Sequence, residues 1–402
     1  MNKFFFILFF FPFLISCSLS IIESSFNLYR QKNFQQAADA IPDKEIKGNN
    51  EILFLLHKAN LLQYSGKYEE SNKYFLLANK KFDELIDIEI IDNIKSSILN
   101  DYFKKYSGEY FERIYSNLFC ALNFLMLNKY DEAFVEIKRA KNKIEKYEIE
   151  SNLFHFIYAL TSDLANEPND AIIEYKKLLE KNINDSFIIE RLMYNATQIG
   201  DKETIEEIKE KYNNFIDNNK AGKYLIFFLF NGIGPIKTEN FVIIDNVKVS
   251  IPVYKENYNL IKQAEISIVK DDEILKTKKE EKLDDVYKLA KISLDKRIAK
   301  ITAKEALRSY LKNQIKNRLE EKNKIINDLL YLAISATEFA DLRCWSTLPA
   351  YISFISFKID NGEINDYNIL INYLTENNIY IEKKKIEQIK KDKYFNIYLI
   401  VQ

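Results

Sequence analysis

The most constraining feature of this 402-residue chain is a set of small and aromatic residues that recurs at intervals of 34 residues through the first half. Four alignments share this interval: Phe34 with Tyr68, Ala37 with Ser71, Asn166 with Gly200, and Ala171 with Ile205. A fixed period of this length is typical of arrays in which each unit packs only on its neighbours. The first half is therefore expected to form a stack of similar units.

The recurring residues fall where two packed helices and their turn need them. Ala59 is the small residue of a first helix, Gly66 and Tyr68 mark the turn, and Phe75 and Ala78 follow along a second helix. Small residues let the two helices approach closely, while an aromatic residue at the turn fills the gap between units. The segment resembles a tetratricopeptide repeat. That resemblance implies an all-α superhelical array whose groove binds a protein or peptide partner.

The repeat units are unevenly spaced. A third unit has its turn at Asn128, 62 residues after Gly66, which is 28 residues more than one period. Residues 83–108 are therefore expected to lengthen one helix pair or to insert another. We predict tetratricopeptide-like repeats over 17–218. The alternative is an irregular helical bundle without a groove.

The N-terminus has the order of a secretory signal. Lys3 precedes an apolar run over 4–15, which is too short to span a membrane. Leu14-Ile15-Ser16-Cys17 resembles a bacterial lipobox, in which the cysteine is acylated and becomes the mature N-terminus. The resemblance implies a lipoprotein signal peptide over 1–16 and lipid, such as palmitate, on Cys17. The chain would then be anchored in the cell envelope and face the periplasm or the exterior. The alternative is an ordinary secretory signal with an incidental cysteine.

The second half changes to a strand pattern. We predict an α+β domain over 219–402, with strands over 223–276, helices over 284–340 and strands over 351–401 in a mostly antiparallel sheet. Strands from both ends of the domain are expected to share one sheet. Asn361-Gly362 is a strong hairpin signal, which predicts pairing between the strands on either side of it.

Residues 340–349 read Ala-Asp-Leu-Arg-Cys-Trp-Ser-Thr-Leu-Pro. Together with Asn231-Gly232-Ile233-Gly234-Pro235, this motif is similar to that of a group of bacterial lipoproteins with N-terminal tetratricopeptide-like repeats and no established activity. If the segment is extended, Asp341, Arg343 and Trp345 fall on one face, where Arg343 could pair with Asp341 and stack on Trp345. One interpretation is a structural clamp. The other is a ligand site in which Arg343 binds a carboxylate or phosphate.

Composition excludes several function classes. The formal net charge of -1 gives no basic field for nucleic acid. Two histidines and three cysteines argue against a metal site or a histidine-based triad, and no catalytic motif is found. We therefore expect no metal, no cofactor and no enzyme activity.

The sequence thus favours a lipid-anchored envelope scaffold that binds an envelope protein or peptide through its helical repeats and the membrane through the lipid on Cys17. The alternative function is a cell-envelope ligand-binding protein or enzyme with a site around Asp341, Arg343 and Trp345. A thermal midpoint left unchanged by Arg343→Ala, together with lost function, would favour the alternative.

Overall fold

The computed structural model describes ten stretches of the chain: residues 21–91, 105–212, 223–244, 247–257, 261–270, 273–298, 340–359, 368–375, 379–385 and 395–402. The predicted signal peptide and Cys17 lie outside these residues, as does 299–339 of the predicted helical region 284–340. Within the described stretches, no helix is both long enough and apolar enough to cross a bilayer.

The described residues before 213 form five helix pairs. The pairs are α1 (21–30) with α2 (Phe34–Asp39), α3 (Glu51–Tyr64) with α4 (Tyr68–Ile91), α5 (Tyr110–Met126) with α6 (Tyr130–Tyr147), α7 (Asn152–Leu164) with α8 (Pro168–Glu180), and α9 (Ser186–Ile199) with α10 (Lys202–Tyr212). From α2 onward, each helix contacts the next one in the chain, and two short 3-10 turns connect α2 to α3. The array is therefore built from local helix-to-helix packing.

Each pair turns through one residue with a left-handed backbone. These residues are Lys32, Gly66, Asn128, Asn166 and Gly200, with φ between 58° and 79°. Four of them are the turn residues that the sequence alignment indicates, so the predicted helix-turn-helix units are confirmed. The long interval between Gly66 and Asn128 is explained in part by α4, which runs for 24 residues.

The described residues of the second half form ten strands and one helix. The strands are β1 (Lys223–Asn231), β2 (Ile236–Ile244), β3 (Val247–Lys255), β4 (Ile261–Lys270), β5 (Glu273–Lys279), β6 (Glu281–Asp285), β7 (Tyr351–Ile359), β8 (Asn368–Thr375), β9 (Ile379–Lys385) and β10 (Phe395–Val401). They form a sheet in the order β10-β1-β7-β6, a second sheet in the order β5-β4-β8-β9, and a β2-β3 ribbon. All pairings are antiparallel except that of β1 with β10.

One expectation about these strands is confirmed and one is wrong. Strands from the two ends of the domain share one sheet, in β10-β1-β7, although β4, β5, β8 and β9 form a second sheet and β2 and β3 form a separate ribbon. The strands on either side of Asn361-Gly362 do not form a hairpin, because β7 pairs with β1 and β6 while β8 pairs with β4 and β9. Asn361 and Gly362 themselves lie outside the described residues.

The predicted helical region 284–340 also needs correction at both ends. Residues 284 and 285 belong to β6, which pairs with β7, and helix α11 begins at residue 286 and is described as far as 298. Ala340 is not helical. Asp284 is buried and accepts hydrogen bonds from the helical array, which favours strand pairing over an early helix start.

The first sheet lies between two apolar layers. One face of β1 (Leu225, Phe227 and Leu229) packs in a cluster with residues of β4 and β8 from the second sheet. The opposite face of β1 packs on α5 and α7, each of which is the first helix of its pair. Between ring centroids, Phe228 lies 5.5 Å from Phe156 and Phe230 lies 5.0 Å from Phe119. The helical array and the α+β domain therefore share one apolar core.

As a result, α5 and α7 are buried on nearly every side. Every residue of α5 from Phe111 to Asn123 is buried, and α7 is buried from Leu153 to Ser162. Isolated helix pairs would leave one side of these helices in water. The side of the helices where the repeat pattern predicts a binding groove is thus covered by β1, β7 and β10 of the same chain.

Candidate functional site

Residues 340–350 form an irregular segment immediately before β7. The segment contacts α3, α4 and α5 of the helical array and is held from the other side by the turn after β1, where the Gly234 N–H donates to the Leu348 carbonyl at 2.7 Å. An added Cβ on Gly234 would lie 2.6 Å from that carbonyl oxygen. We call this contact zone the junction, defined by residues 340–350 and the side chains that bind them.

Asp341 and Arg343 form the ion pair that their alternation predicts. Arg343 Nε and Nη2 donate to the two carboxylate oxygens of Asp341 at 2.8 and 2.7 Å, which is a bidentate arrangement. Arg343 Nη1 also donates to Asn50 Oδ1 at 3.0 Å. The aromatic ring beneath the guanidinium is that of Tyr106, 5.5 Å away, rather than that of Trp345. Arg343 therefore connects the motif to the residues that precede α3 and to those that precede α5.

Trp345 is part of the core. Its side chain is 1% exposed and lies between Phe75 at 5.9 Å and Phe119 at 5.6 Å. Its backbone N–H donates to Glu112 Oε1 at 2.8 Å, and its indole N–H donates to Thr347 Oγ1 at 3.0 Å. A ring enclosed in this way has no face to offer a soluble ligand. The environment is that of a buried anchor.

Thr347 connects the motif to α3. Its carbonyl accepts from the Tyr64 hydroxyl at 2.9 Å, and its hydroxyl lies 3.2 Å from Nδ1 of His57. Burial lowers the pKa of His57 to about 4, so this imidazole is neutral at physiological pH. His57 is thus a packing residue of the junction, as a lone helical histidine is expected to be.

A buried ion-pair cluster lies beside the motif. Glu109 binds Lys237 at 2.6 Å and Arg297 at 2.5 Å, and the side chains of Glu109 and Lys237 are 3% and 4% exposed. Burial alone would raise the pKa of Glu109, but the two cations outweigh it and lower the pKa to about 2. Lys237 also donates to the Arg343 carbonyl at 3.1 Å. The cluster joins the start of α5 to β2, α11 and the motif.

Sequence reasoning missed this cluster. Glu109 and Lys237 are 128 residues apart and each resembles a surface charge in the sequence. One local signal was available, because Glu109 and Glu112 have the spacing of a capping box at the start of a helix, and the structure contains that box. The box identifies a helix start but not a buried partner.

Glu112 is the central acceptor of the junction. It receives hydrogen bonds from the Tyr106 hydroxyl, from the Glu109 N–H at 2.8 Å and from the Trp345 N–H. Burial raises the pKa of Glu112 above its usual value, although Lys237 opposes the shift. The carboxylate therefore holds the helix start and the motif at one point.

A second contact between array and α+β domain is made by Asp284 of β6. Its carboxylate accepts from the Tyr115 hydroxyl at 2.7 Å, from Ser151 Oγ at 2.5 Å and from the Asn152 N–H at 2.8 Å. Ser151 is itself the N-cap of α7. Burial raises the pKa of Asp284. Strand β6 thus helps to cap a helix of the array.

The described side chains around the junction form neither a metal site nor a reactive thiol. Among the described side chains, no three His, Cys, Asp or Glu residues cluster in a way that could hold a metal ion. Cys120 and Cys344 are both free thiols. Burial raises the pKa of Cys344 to about 11 and raises that of Cys120 well above its usual value, so both are poor nucleophiles.

The exposed side of the array differs from the buried one. We call the solvent-facing side of α4, α6, α8 and α10 the outer face. Val135 on α6 and Ile173 on α8 are 50% and 51% exposed there, and Leu76 and Leu77 on α4 are 38% and 41% exposed. Large apolar side chains on neighbouring helices are a common feature of protein interfaces.

Comparisons with known proteins add little to this picture. No protein-family model and no curated protein matches the chain. Residues 41 to the end of MamA from Desulfovibrio magneticus RS-1 match with 11% identity and a TM-score of 0.34, over 48% of this chain and 92% of that one. YrrB, described as a TPR protein with an unusual peptide-binding site, matches with 10% identity and a TM-score of 0.34, over 50% and 86%. Kinesin light chain TPR-like repeats from Podosopora anserina match with 10% identity and a TM-score of 0.33, over 49% and 92%. Similarity this low carries no argument, so the helix-pair assignment depends on the turns and contacts described above.

Proposed function

We propose that this chain is a lipid-anchored protein of the bacterial cell envelope that binds a protein partner through the outer face of its helical repeats. The superhelical arrangement of those repeats is part of the proposal. The observation that carries it is the exposure of Val135 and Ile173 on neighbouring helices, in an array whose opposite side is covered by the chain's own sheet. Partner binding would therefore use the second helix of each pair.

Val135 and Ile173 occupy equivalent positions. Each lies seven residues after the left-handed turn residue of its pair, Asn128 or Asn166. Lys138, one helical turn beyond Val135, donates at 2.7 Å to Asp170, one turn before Ile173. The two apolar side chains are thus held on adjacent helices on either side of an ion pair.

Charged residues flank this apolar pair. The equivalent positions on α4 and α10 are Lys73 and Glu207, each seven residues after its turn glycine. An apolar centre with a charged rim is the usual anatomy of a specific interface, in which a few buried anchors supply most of the affinity. The partner is expected to present an apolar anchor to α6 and α8.

Crosslinking in cells tests this surface. A photoreactive amino acid at Arg139, an exposed neighbour on α6, should give a discrete crosslinked product, and the Val135→Lys/Ile173→Lys pair should abolish it. Ile292→Lys is the matched control, since Ile292 is 46% exposed on α11 and lies outside the array. A product that survives the double substitution, or that Ile292→Lys removes equally, would contradict the outer-face interface.

For Asp341, Arg343 and Trp345 we propose a clamp that locks the α+β domain onto the array. The bidentate pair and the 1% exposure of Trp345 support this role. No observation favours the alternative function as an enzyme or ligand receptor at these residues.

The lipid anchor has its own test. The Cys17→Ser variant should appear in the soluble fraction after cell lysis, because the thioether that carries the lipid cannot form. A variant that still sediments with membranes and resists salt extraction would rule out the anchor. The outer-face interface would not be affected by that result.

A further inference from the structure

We infer that one end of the first helix pair rests against the surface of the membrane. This end consists of the start of α1 and the connection over 41–50. This inference rests on the proposed lipid on Cys17. Helix α1 is described from residue 21, only four residues later. Four residues span at most about 14 Å even when fully extended. The start of α1 is therefore confined to the neighbourhood of the bilayer.

The direction of α1 decides which end of the array is confined. Its start lies on the same side as the end of α2 and the 41–50 connection, because the two helices run in opposite directions and Ser25 Oγ donates to the Ala37 carbonyl at 2.8 Å. The far end of α1 leads to the turn at Lys32, whose side chain donates to Gln402 at 3.2 Å. The 41–50 connection thus lies at the same end of the array as the start of α1, which we call the tethered end.

The turns within the first two helix pairs, at Lys32 and Gly66, lie at the opposite end. Helix α3 has 14 residues, which corresponds to ~21 Å between the 41–50 connection and the turn at Gly66. This distance exceeds the reach of the tether beyond the lipid surface. If the tethered end faces the membrane, the Gly66 turn remains in water.

The tethered end has suitable chemistry for a lipid surface. Lys44 and Lys47 are exposed, and Ile21, Ile22 and Ile46 are only partly buried against the core. Glu23 and Asp39 are exposed at the same end, so this surface carries both signs of charge rather than a basic patch. Partly exposed isoleucines suit the headgroup boundary of a bilayer. The occupant that these residues fit is the headgroup boundary of the bilayer that holds the lipid on Cys17.

Fluorescence quenching in vesicles tests the orientation. Full-length lipidated protein is reconstituted in phosphatidylethanolamine and phosphatidylglycerol vesicles containing nitroxide-labelled lipid, with a fluorophore on a single introduced cysteine. Labels at Lys44→Cys and Lys47→Cys should be quenched at least threefold more than labels at Gln31→Cys and Lys67→Cys. Gln31 belongs to the same helix pair as the tether, so it controls for simple proximity to the anchor.

Different results would contradict the lipid anchor on Cys17 and the orientation of the array. If Cys17→Ser does not release the protein from membranes, the proposed anchor is wrong. If Cys17→Ser releases it but the lipidated protein shows equal quenching at both ends, the orientation is wrong and the anchor stands. Greater quenching at Gln31 and Lys67 would reverse the orientation.

Discussion

The backbone N–H of Trp345 donates to Glu112 Oε1 at 2.8 Å, joining two residues that lie 233 positions apart. The other oxygen of the same carboxylate accepts from the Glu109 N–H and completes the capping box of α5. One side chain therefore starts a helix of the array and fixes the motif of the α+β domain. A substitution at Glu112 is therefore expected to weaken both the start of α5 and the attachment of the motif.

Trp345→Ala should lower the free energy of unfolding by about 3–5 kcal/mol, because it removes a fully buried aromatic side chain and leaves a cavity. The measurement is urea unfolding followed by far-UV circular dichroism, since Trp345 is the only tryptophan. Leu342→Ala is the control, with a side chain that is 40% exposed, and should cost under about 0.5 kcal/mol. Equal costs for the two variants would contradict the anchor role.

Arg343 and Asp341 should be energetically coupled. A double-mutant cycle with Arg343→Ala and Asp341→Ala is expected to give about 1–2 kcal/mol of coupling, because the bidentate pair is largely enclosed, with side chains 8% and 22% exposed. The exposed pair Lys211–Glu207, at 59% and 42%, should give under about 0.5 kcal/mol. Loss of function in Arg343→Ala without loss of stability would instead favour the ligand-site interpretation.

Gly234→Ala should destabilise the junction, since the new methyl group would lie 2.6 Å from the Leu348 carbonyl oxygen. The expected cost is about 2 kcal/mol, with a red shift of Trp345 fluorescence as residues 345–348 are displaced. At Gly66 an added methyl group meets nothing within 4 Å, although its φ of 79° still causes backbone strain. Gly66→Ala should therefore lose stability without the fluorescence shift. The opposite pattern would be inconsistent with the Gly234 contact.

Glu109→Gln should change how stability depends on pH. The pKa of Glu109 falls from 4.5 in the unfolded chain to about 2 in the fold, where Lys237 and Arg297 face it. Its ionised form therefore stabilises the fold above pH 4.5, and that contribution is lost as the pH falls from 4.5 to 2. The advantage of wild type over Glu109→Gln, on the order of 3 kcal/mol by this linkage, should shrink over the same range. Chemical denaturation at a series of pH values measures it. A difference that does not vary with pH would refute the ion-pair cluster. Glu69→Gln, with a side chain that is 71% exposed, is the control.

The two thiols within the described residues, Cys120 and Cys344, should react slowly in the folded chain. At pH 8 a thiol with a pKa near 11, as for Cys344, has about a hundredfold less thiolate than one with a pKa of 9. Alkylation followed by mass spectrometry should show slow modification of Cys120 and Cys344 in native protein and fast modification in urea. Rapid labelling of native Cys344 would indicate an open junction.

Local features of the fold could be predicted from the sequence. Gly66, Asn128, Asn166 and Gly200 indicate the turns correctly, because a turn and the small residues on either side of it depend on neighbours within one unit. Strand β1 opens the predicted strand region 223–276, and its continuous apolar run suits a strand that is buried on both faces.

Sheet membership could not be predicted in the same way. Asn361-Gly362 favours a turn but carries no information about which strands its flanks will join. Strand β7 is buried along almost its whole length and pairs with β1 and β6, so its partners are decided by the core rather than by the turn. Strand β6 was missed because its five residues are mostly charged and only two are buried.

The junction could be predicted only in part. The motif indicated a pair between Asp341 and Arg343, which is formed within one segment. Its other contacts involve Glu112 and Lys237, which come from different elements and look like surface charges in the sequence. Side chains that meet only after folding leave no local pattern.

The pairing of β1 with β10 has a consequence for how the molecule is made. Tyr224 lies opposite Phe395, and the register continues to Phe230 opposite Val401. Until residues 395–401 have been synthesised, the sheet lacks strand β10 and α9 lacks the contact between Phe187 and Phe395. A nascent chain would therefore expose one side of Phe187 to chaperones until Phe395 is available to cover it.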